Sequence, residues 1–458
     1  MNSANEENDP RIARTLRLSI LDGFSWSVMT GFGDMFIAPF AIFLGASNRA
    51  VALIATMPHL LGSLAQMAGA HWADRLKKRR GLMVPLATLQ AILFLPLVVA
   101  PLRWDNFAIP LLLFFAALTL MAGHAVIPVW LSMMGDIVPS ARRGDYFGQR
   151  GRVVILGIFA SHLLAGGVLT LFQRHHHAAA GFVTVFLVAS VARLISVRLL
   201  VLHDDPPYDL PADTYFSFLQ FLRRLPHSNF ARFALFQALM IGTTNIAAPF
   251  FAVYMLRDLG WTYAQFTVNA AAFLMTQFIM IRWWGRIGDR HGNRTVVIAT
   301  TIILTVLPLL WMISPNYIYL LWVQCVAGVG WSGFGISVQN YTFDAVSPPK
   351  RARVASYVSL LNGICALIGG TVIGAWLANH LPASCTFGAV EVRFVSSLPW
   401  VFLASSLARG LAVLVMVRHF REVREVAEPV HPASLIFRVA GGEAIHFFRA
   451  QAARLTRR

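Results

Sequence analysis

The chain has 458 residues, of which 57% are apolar and only 13% charged. Soluble globular proteins run at roughly 45–50% and 25%, so an ordinary soluble enzyme is excluded. The net charge of +17 would suit a nucleic-acid partner, but the basic residues sit in short breaks between apolar runs, which marks a membrane topology and not a binding face.

The N-terminus, Met1 to Pro10, is polar. The apolar run after it is too long for a signal-peptide core and lacks a small-residue cleavage site, so it is expected to remain as the first span. A span needs about 20 mostly apolar residues. Twelve are predicted, near 18–44, 50–70, 81–101, 107–134, 152–173, 180–202, 230–256, 262–284, 295–313, 316–341, 354–380 and 394–417. Runs beyond that length imply tilt or kinks, not extra passes.

These spans divide the chain into an N-terminal tail at 1–17, a six-helix bundle at 18–202, a linker at 203–229, a second six-helix bundle at 230–417 and a basic tail at 418–458. The linker is polar and carries Asp204, Asp205, Pro206, Pro207 and Pro211. In the tail, Ile436, Phe437, Val439, Phe447 and Phe448 alternate with Arg438, Arg449, Arg454 and Arg458, the pattern of a basic helix lying on a membrane leaflet.

Arg49, Arg103, Arg174, Arg257 and Arg393 fall on one side of this topology, and Arg193, Arg198 and Arg409 fall inside spans. The other 30 of the 38 Lys and Arg share the opposite side. The positive-inside rule places that side, with both termini, in the cytoplasm. A bacterial inner membrane is the expected location.

The two bundles repeat each other. Ala38-Pro39-Phe40 recurs as Ala248-Pro249-Phe250, and Asp74-Arg75 recurs as Asp289-Arg290. The run from Asp136 through Pro139, Arg143 and Phe147 returns as Asp344, Pro348, Arg351 and Tyr357. Phe186 to Arg193 returns as Phe402 to Arg409. The matches keep their order at offsets of 208 to 216. Six helices separate the copies, an even number, so the repeat is parallel. The fold class expected is an all-α polytopic membrane protein, twelve helices in two parallel six-helix pseudo-repeats around a central pathway.

Gly285-Arg286-Ile287-Gly288-Asp289-Arg290-His291-Gly292-Asn293-Arg294 lies between the eighth and ninth spans. It resembles the signature loop of the major facilitator superfamily, which joins the second and third helices of each half. Glycine suits the tight turn, and an Asp at a helix N-terminus is favoured by the free N–H groups there. The resemblance implies a transporter whose loop latches one side of the membrane, with Gly285, Asp289, Arg290, Gly292 and Arg294 as gate residues. The first-half copy keeps Asp74 and Arg75, but Ala70 stands where the first glycine should be, and Leu76-Lys77-Lys78-Arg79-Arg80 follows without the later glycine. The fifth span has Gly157, Gly166 and Gly167 but no adjacent proline, unlike the family's drug–proton antiporters.

Inside the spans, ionisable groups are costly and therefore candidates for function. Asp34 is the carboxylate placed deep, about 16 residues or roughly 24 Å along the first span at 1.5 Å per residue. It sits among Gly31, Gly33 and Pro39, and it is the candidate for proton or cation coupling. Thr244 and Asn245 hold the matching depth in the second half. His59, His124 and His162 lie in the second, fourth and fifth spans, with His124 singled out because Gly123 and Pro128 flank it. Asn245, Asn269 and Gln324 are the polar pathway candidates, with helix–helix hydrogen bonding as the plainer role. Gly363, Gly369, Gly370 and Gly374 read as small-residue helix packing.

Arg193 and Arg409 are pseudo-equivalent and are expected to snorkel to the interface or pair with a loop acid. With them set aside, no deep cation is left for an anionic substrate, which favours a neutral, cationic or amphiphilic solute. His175-His176-His177 read as a solvated loop. Cys325, Cys365 and Cys385 have no metal-ligand spacing, so no metal site and no disulfide framework are expected. The expected function is secondary active transport of a small organic solute by alternating access, coupled to an ion such as H+, with no cofactor, no nucleic-acid partner and a monomeric state. A transporter-like receptor or assembly factor shares this pattern. A polytopic membrane enzyme would need acids, His or metal ligands clustered at one depth, and the sequence offers none.

Overall fold

The computed structural model describes residues 10–76, 78–139, 143–206, 217–223, 227–387, 390–426 and 430–435. The amphipathic tail helix expected from Ser434 onward lies almost wholly outside these residues. Twelve helices among them are long and apolar enough to cross a membrane: Pro10–Phe43, Asn48–Gly69, Arg79–Arg103, Asp105–Ile137, Asp145–Arg174, Ala178–Val201, Asn229–Asp258, Tyr263–His291, Asn293–Ile313, Tyr317–Ala345, Arg353–His380 and Leu398–Met416. They follow the twelve predicted spans. The first begins some eight residues early, at Pro10, a residue whose fixed φ and missing N–H suit the first helical turn.

The repeated Ala-Pro-Phe motif marks two helix breaks. The first span runs as a helix over Pro10–Phe32, tightens into a 3-10 turn at Asp34–Phe36 and resumes at Ile37–Phe43. The seventh runs over Asn229–Asn245, resumes at Ala248–Val253 and widens into a π turn at Tyr254–Asp258. Pro39 and Pro249 each stand in the first turn of the resumed helix, where a missing N–H costs nothing. The eleventh span carries a second π turn at Ile368–Gly374.

The helices form two compact units, and neither is a plain half of the sequence. The first holds Met1–Thr214 together with Ala248–Val268 and Ala366–His380; the second holds Tyr215–Ala247, Asn269–Cys365 and Leu381–Arg458. In the first unit the core is aromatic toward one end, with Phe40 5.0 Å from Phe182 and 5.6 Å from Phe186. Toward the basic end, Met83, Met133, Met134, Tyr146 and Leu200 pack together. Spans one and five approach so closely that a Cβ at Gly31 or Gly157 would run into Ser161 or Ser27. In the second unit Phe233 stacks on Tyr341 at 3.9 Å, with Phe420 against both.

Two features depart from the sequence reading. Arg193 and Arg409 do not snorkel: they are 3% and 1% exposed inside their units, held by partners that a hydropathy pattern cannot show. Between the eleventh and twelfth spans, Ser384–Phe387 pairs antiparallel with Val390–Arg393, Ser384 opposite Arg393. The alternation there is too short and too polar to have stood out from a loop.

Candidate functional site

The break in the first span presents Asp34 as the first residue of its 3-10 turn. The residue is part-buried, but its Oδ1 is closed to solvent and has no hydrogen-bond partner. Arg193 of the sixth span acts electrostatically on both Asp34 and Asp22. Its Nη1 donates to Ser196 Oγ at 2.9 Å, and Ser196 Oγ donates to Asp22 Oδ1 at 2.6 Å. Asp22 Oδ2 lies 3.5 Å from Arg150 Nη2 of the fifth span. Arg150 in turn donates Nε to the Ser19 carbonyl at 3.2 Å and lies 4.0 Å over the Trp130 ring.

The result is a polar column through the first unit: Asp22 on span one is tied to Arg150 of span five and, through Ser196, to Arg193 of span six, while Asp34 feels Arg193 without a direct bond to it. Buried charges are tolerable when paired in this way. Asp22 was not singled out in the sequence because it stands near the end of its apolar run. Its Arg150 partner, 128 positions on, leaves no local signal.

The histidines separate. His162 is fully buried, with its ring 5.0 Å from Phe36 and 6.2 Å from Phe266. His59 and His124 face each other from spans two and four, ring centroids 5.9 Å apart.

In the second unit, Asn245 Nδ2 donates to the Ile241 carbonyl of its own helix at 2.9 Å. Asn269 is fully buried and donates to the Leu320 carbonyl of the tenth span at 3.2 Å, a helix–helix tie. Gln324 is part-exposed on that tenth span. Arg409 donates Nη1 to the Leu304 carbonyl at 2.6 Å and Nη2 to the Thr244 carbonyl at 3.5 Å. No carboxylate pairs with it among the described residues. The deep cation judged missing from the sequence is therefore present, though its hydrogen bonds are spent on backbone.

The signature loop is anchored inside the second unit. Gly292 adopts φ +90°, a conformation that favours glycine. Arg294 takes Glu422 Oε2 on its backbone N–H at 2.7 Å, and its side chain donates to the Phe420 and Val417 carbonyls, both at 2.9 Å. Asp289 lies 3.5 Å from Arg424. Gly285 has open space around its Cα, and Arg290 is engaged within the structure. In the first half Arg75 is exposed in the last turn of its helix, while the Asp74 side chain lies outside the described residues. Arg79, fully buried, holds Asp136 at 2.5 Å and the Pro206 carbonyl at 3.0 Å. The matching tie in the second half is Asn293 to Asp344, 3.0 Å.

On the side opposite these basic loops, the first unit draws on both sequence halves. Asn48 Oδ1 accepts from Arg257 at 3.0 Å, and its Nδ2 donates to the Ala378 carbonyl at 3.4 Å. Thr56 and Thr371 share a hydrogen bond of 2.8 Å. Thr170 Oγ1 accepts from the Ala264 N–H at 2.8 Å. A Cβ at Gly166 would run into Thr267, so spans five and eight meet in van der Waals contact.

Comparison with known proteins follows the same lines. The sequence profile described as Major Facilitator Superfamily matches residues 23–241 and 233–450. Efflux pump azaK of Aspergillus niger is 30% identical over 175 residues, 37% of this chain and 36% of that protein. Multidrug resistance protein MdtL of Klebsiella pneumoniae is 25% identical over 189 residues, 41% and 43% of the two chains. The matched regions thus span less than half the length of these relatives. Among solved structures, nucleoside transporter NupG superposes with a TM-score of 0.65 at 12% identity, covering 90% of this chain and 100% of its own. The xylose transporter XylE from E. coli gives 0.60 at 12% identity, covering 90% and 100%.

Proposed function

The chain belongs to the Major Facilitator Superfamily, and from that premise we propose that this membrane transporter carries a small organic solute by alternating access, driven by protons. Both termini lie in the cytoplasm of a bacterial cell, as the charge distribution supports. The relatives named as an efflux pump and a multidrug resistance protein favour an organic solute.

The observation that carries the coupling is Asp34. It stands at a helix break, with one carboxylate oxygen shielded and unpartnered, within electrostatic reach of an arginine that also acts on Asp22. Protonation of Asp34 releases Arg193 toward Asp22, and deprotonation draws it back. A charge that can be exchanged between two acids on one span is the kind of bistable element an ion-coupled cycle needs. Asp74, Arg75, Asp289, Arg290 and Arg294, with Gly285 and Gly292, form the cytoplasmic gate, and Asn245, Asn269, Gln324 and His124 contribute the polar groups of the pathway.

The test is proton movement in proteoliposomes holding a pH-sensitive dye, screened against a solute panel. A solute that moves protons with the wild type and not with Asp34→Asn supports the reading. Solute flux that depends on pH equally in both proteins rejects it.

A further inference from the structure

His59 and His124 have no part in the column around Asp34. His59 lies about 11 residues into the second span and His124 about 13 residues before the end of the fourth, roughly 17 and 20 Å at 1.5 Å per residue. Both rings therefore sit near the middle of the bilayer core. Asn48, Ala52, Thr56 and His59 recur at steps of four, four and three, one face of a helix. Asn48 and Thr56 on that face meet Ala378 and Thr371 of the eleventh span. His59 is one turn deeper on the same face and exposed.

His124 faces it with a shielded Nδ1 that has no hydrogen-bond partner. Gly62 backs onto that nitrogen: a Cβ there would stand 2.5 Å from His124 Nδ1, so the nitrogen left to serve as a ligand is Nε2. The centroid separation of 5.9 Å is too wide for a direct bond, because nitrogens at about 2.7–3.2 Å bring imidazole centroids to roughly 5 Å. A shared metal ion with bonds of about 2.0–2.1 Å puts the centroids roughly 5–6.5 Å apart, depending on the angle. The gap matches one ion.

We propose that His59 and His124 form a binding site for a divalent late first-row transition-metal ion, Zn2+ or Ni2+ in class. Two imidazoles and no carboxylate suit these ions and disfavour Ca2+ and Mg2+, which take oxygen ligands. Among the described residues no third His, Cys, Asp or Glu completes a metal-binding group with these two, so the two imidazoles leave coordination positions open to water or solute. An ion held in this way exchanges and does not serve as a structural staple.

The experiment is calorimetric titration of Zn2+ and Ni2+ into the purified full-length chain in detergent. His175, His176 and His177 are replaced by Ala in every sample, because that run can also take up metal. One site per chain is expected, weakened by tenfold or more in His59→Gln and in His124→Gln, since even loss of an outer-shell partner costs about 10–100-fold. His162→Gln keeps the affinity. An affinity unchanged in either variant, or no binding above that of the double variant, overturns the proposal. Cu2+ electron spin echo spectra of the unsubstituted pair give a second readout that needs no folded variant. Coupling to two imidazoles is the expected signal, and coupling to one or none overturns it.

Discussion

Arg409 donates to the Leu304 carbonyl at 2.6 Å, and Pro308 four residues on is the reason that carbonyl is free. Proline has no N–H to complete the helical hydrogen bond. The second Arg409 bond goes to the Thr244 carbonyl, in the last turn of the helix that ends at Asn245, beside the Ala247 N–H that also donates to it at 3.1 Å. The arginine thus repairs the backbone defect at Pro308, and its charge is favoured by the negative end of the helix that ends at Asn245.

Replacing Arg409 by Met should therefore cost about 2–3 kcal/mol, in the range for buried polar groups left unpaired. Adding Pro308→Ala, which returns the N–H to Leu304, should recover about 1 kcal/mol. Chemical or thermal unfolding of the four proteins of this cycle measures the coupling. Strict additivity would refute the pairing.

Arg294 grips the end of the twelfth span through two different nitrogens. A lysine keeps the charge but has no planar fork. Arg294→Lys is expected to lower the melting temperature in detergent, with a loss of about 1–2 kcal/mol, although the substitution conserves charge.

Asn48 closes two contacts at the end of the first unit opposite the basic loops. Asn48→Ala should raise the modification rate of a cysteine placed at position 59 by an impermeant thiol reagent added outside. A loss of about 1 kcal/mol corresponds to roughly a fivefold change in the open population. The measurement needs a background in which Cys325, Cys365 and Cys385 are replaced.

His203, just past the sixth span, is 1% exposed. Burial lowers its pKa below the usual value of 6.5, opposed by nearby Asp22. An unfolded chain takes up this proton near pH 6.5, whereas the folded chain resists it. Stability from this group is complete above that pH and is lost as pH falls through it toward the lower folded value. The melting temperature of the wild type should drop between pH 8 and pH 5.5 by more than that of His203→Gln.

Much of the fold was legible because its causes are local. Apolar runs set the spans, and Ala38-Pro39-Phe40 with its copy at Ala248 announced the repeat, though not the helix break that each copy marks. The candidate site was legible only where one residue stood out alone. Asp34 did, amid glycines and a proline. Asp22 did not, since its partners Ser196 and Arg150 are far away in sequence and its position looked like a span edge. Arg193 and Arg409 share a sequence motif yet differ in what they hold: an acid bridge in one unit, backbone carbonyls in the other. That difference lies in the neighbouring helices, where Asp34 is matched by Thr244.

The contacts of Asn48 and Thr56 also have a consequence for synthesis. Their partners, Ala378 and Thr371, leave the ribosome more than three hundred residues later. Domains generally form in the order they are made, but the first unit borrows Ala248–Val268 and Ala366–His380 from the late part of the chain. A nascent chain stopped after six spans holds an incomplete body, with Asn48 and Thr56 waiting in the bilayer for the eleventh helix. Insertion of that helix, and not the end of the first half, is the moment at which the first unit is finished.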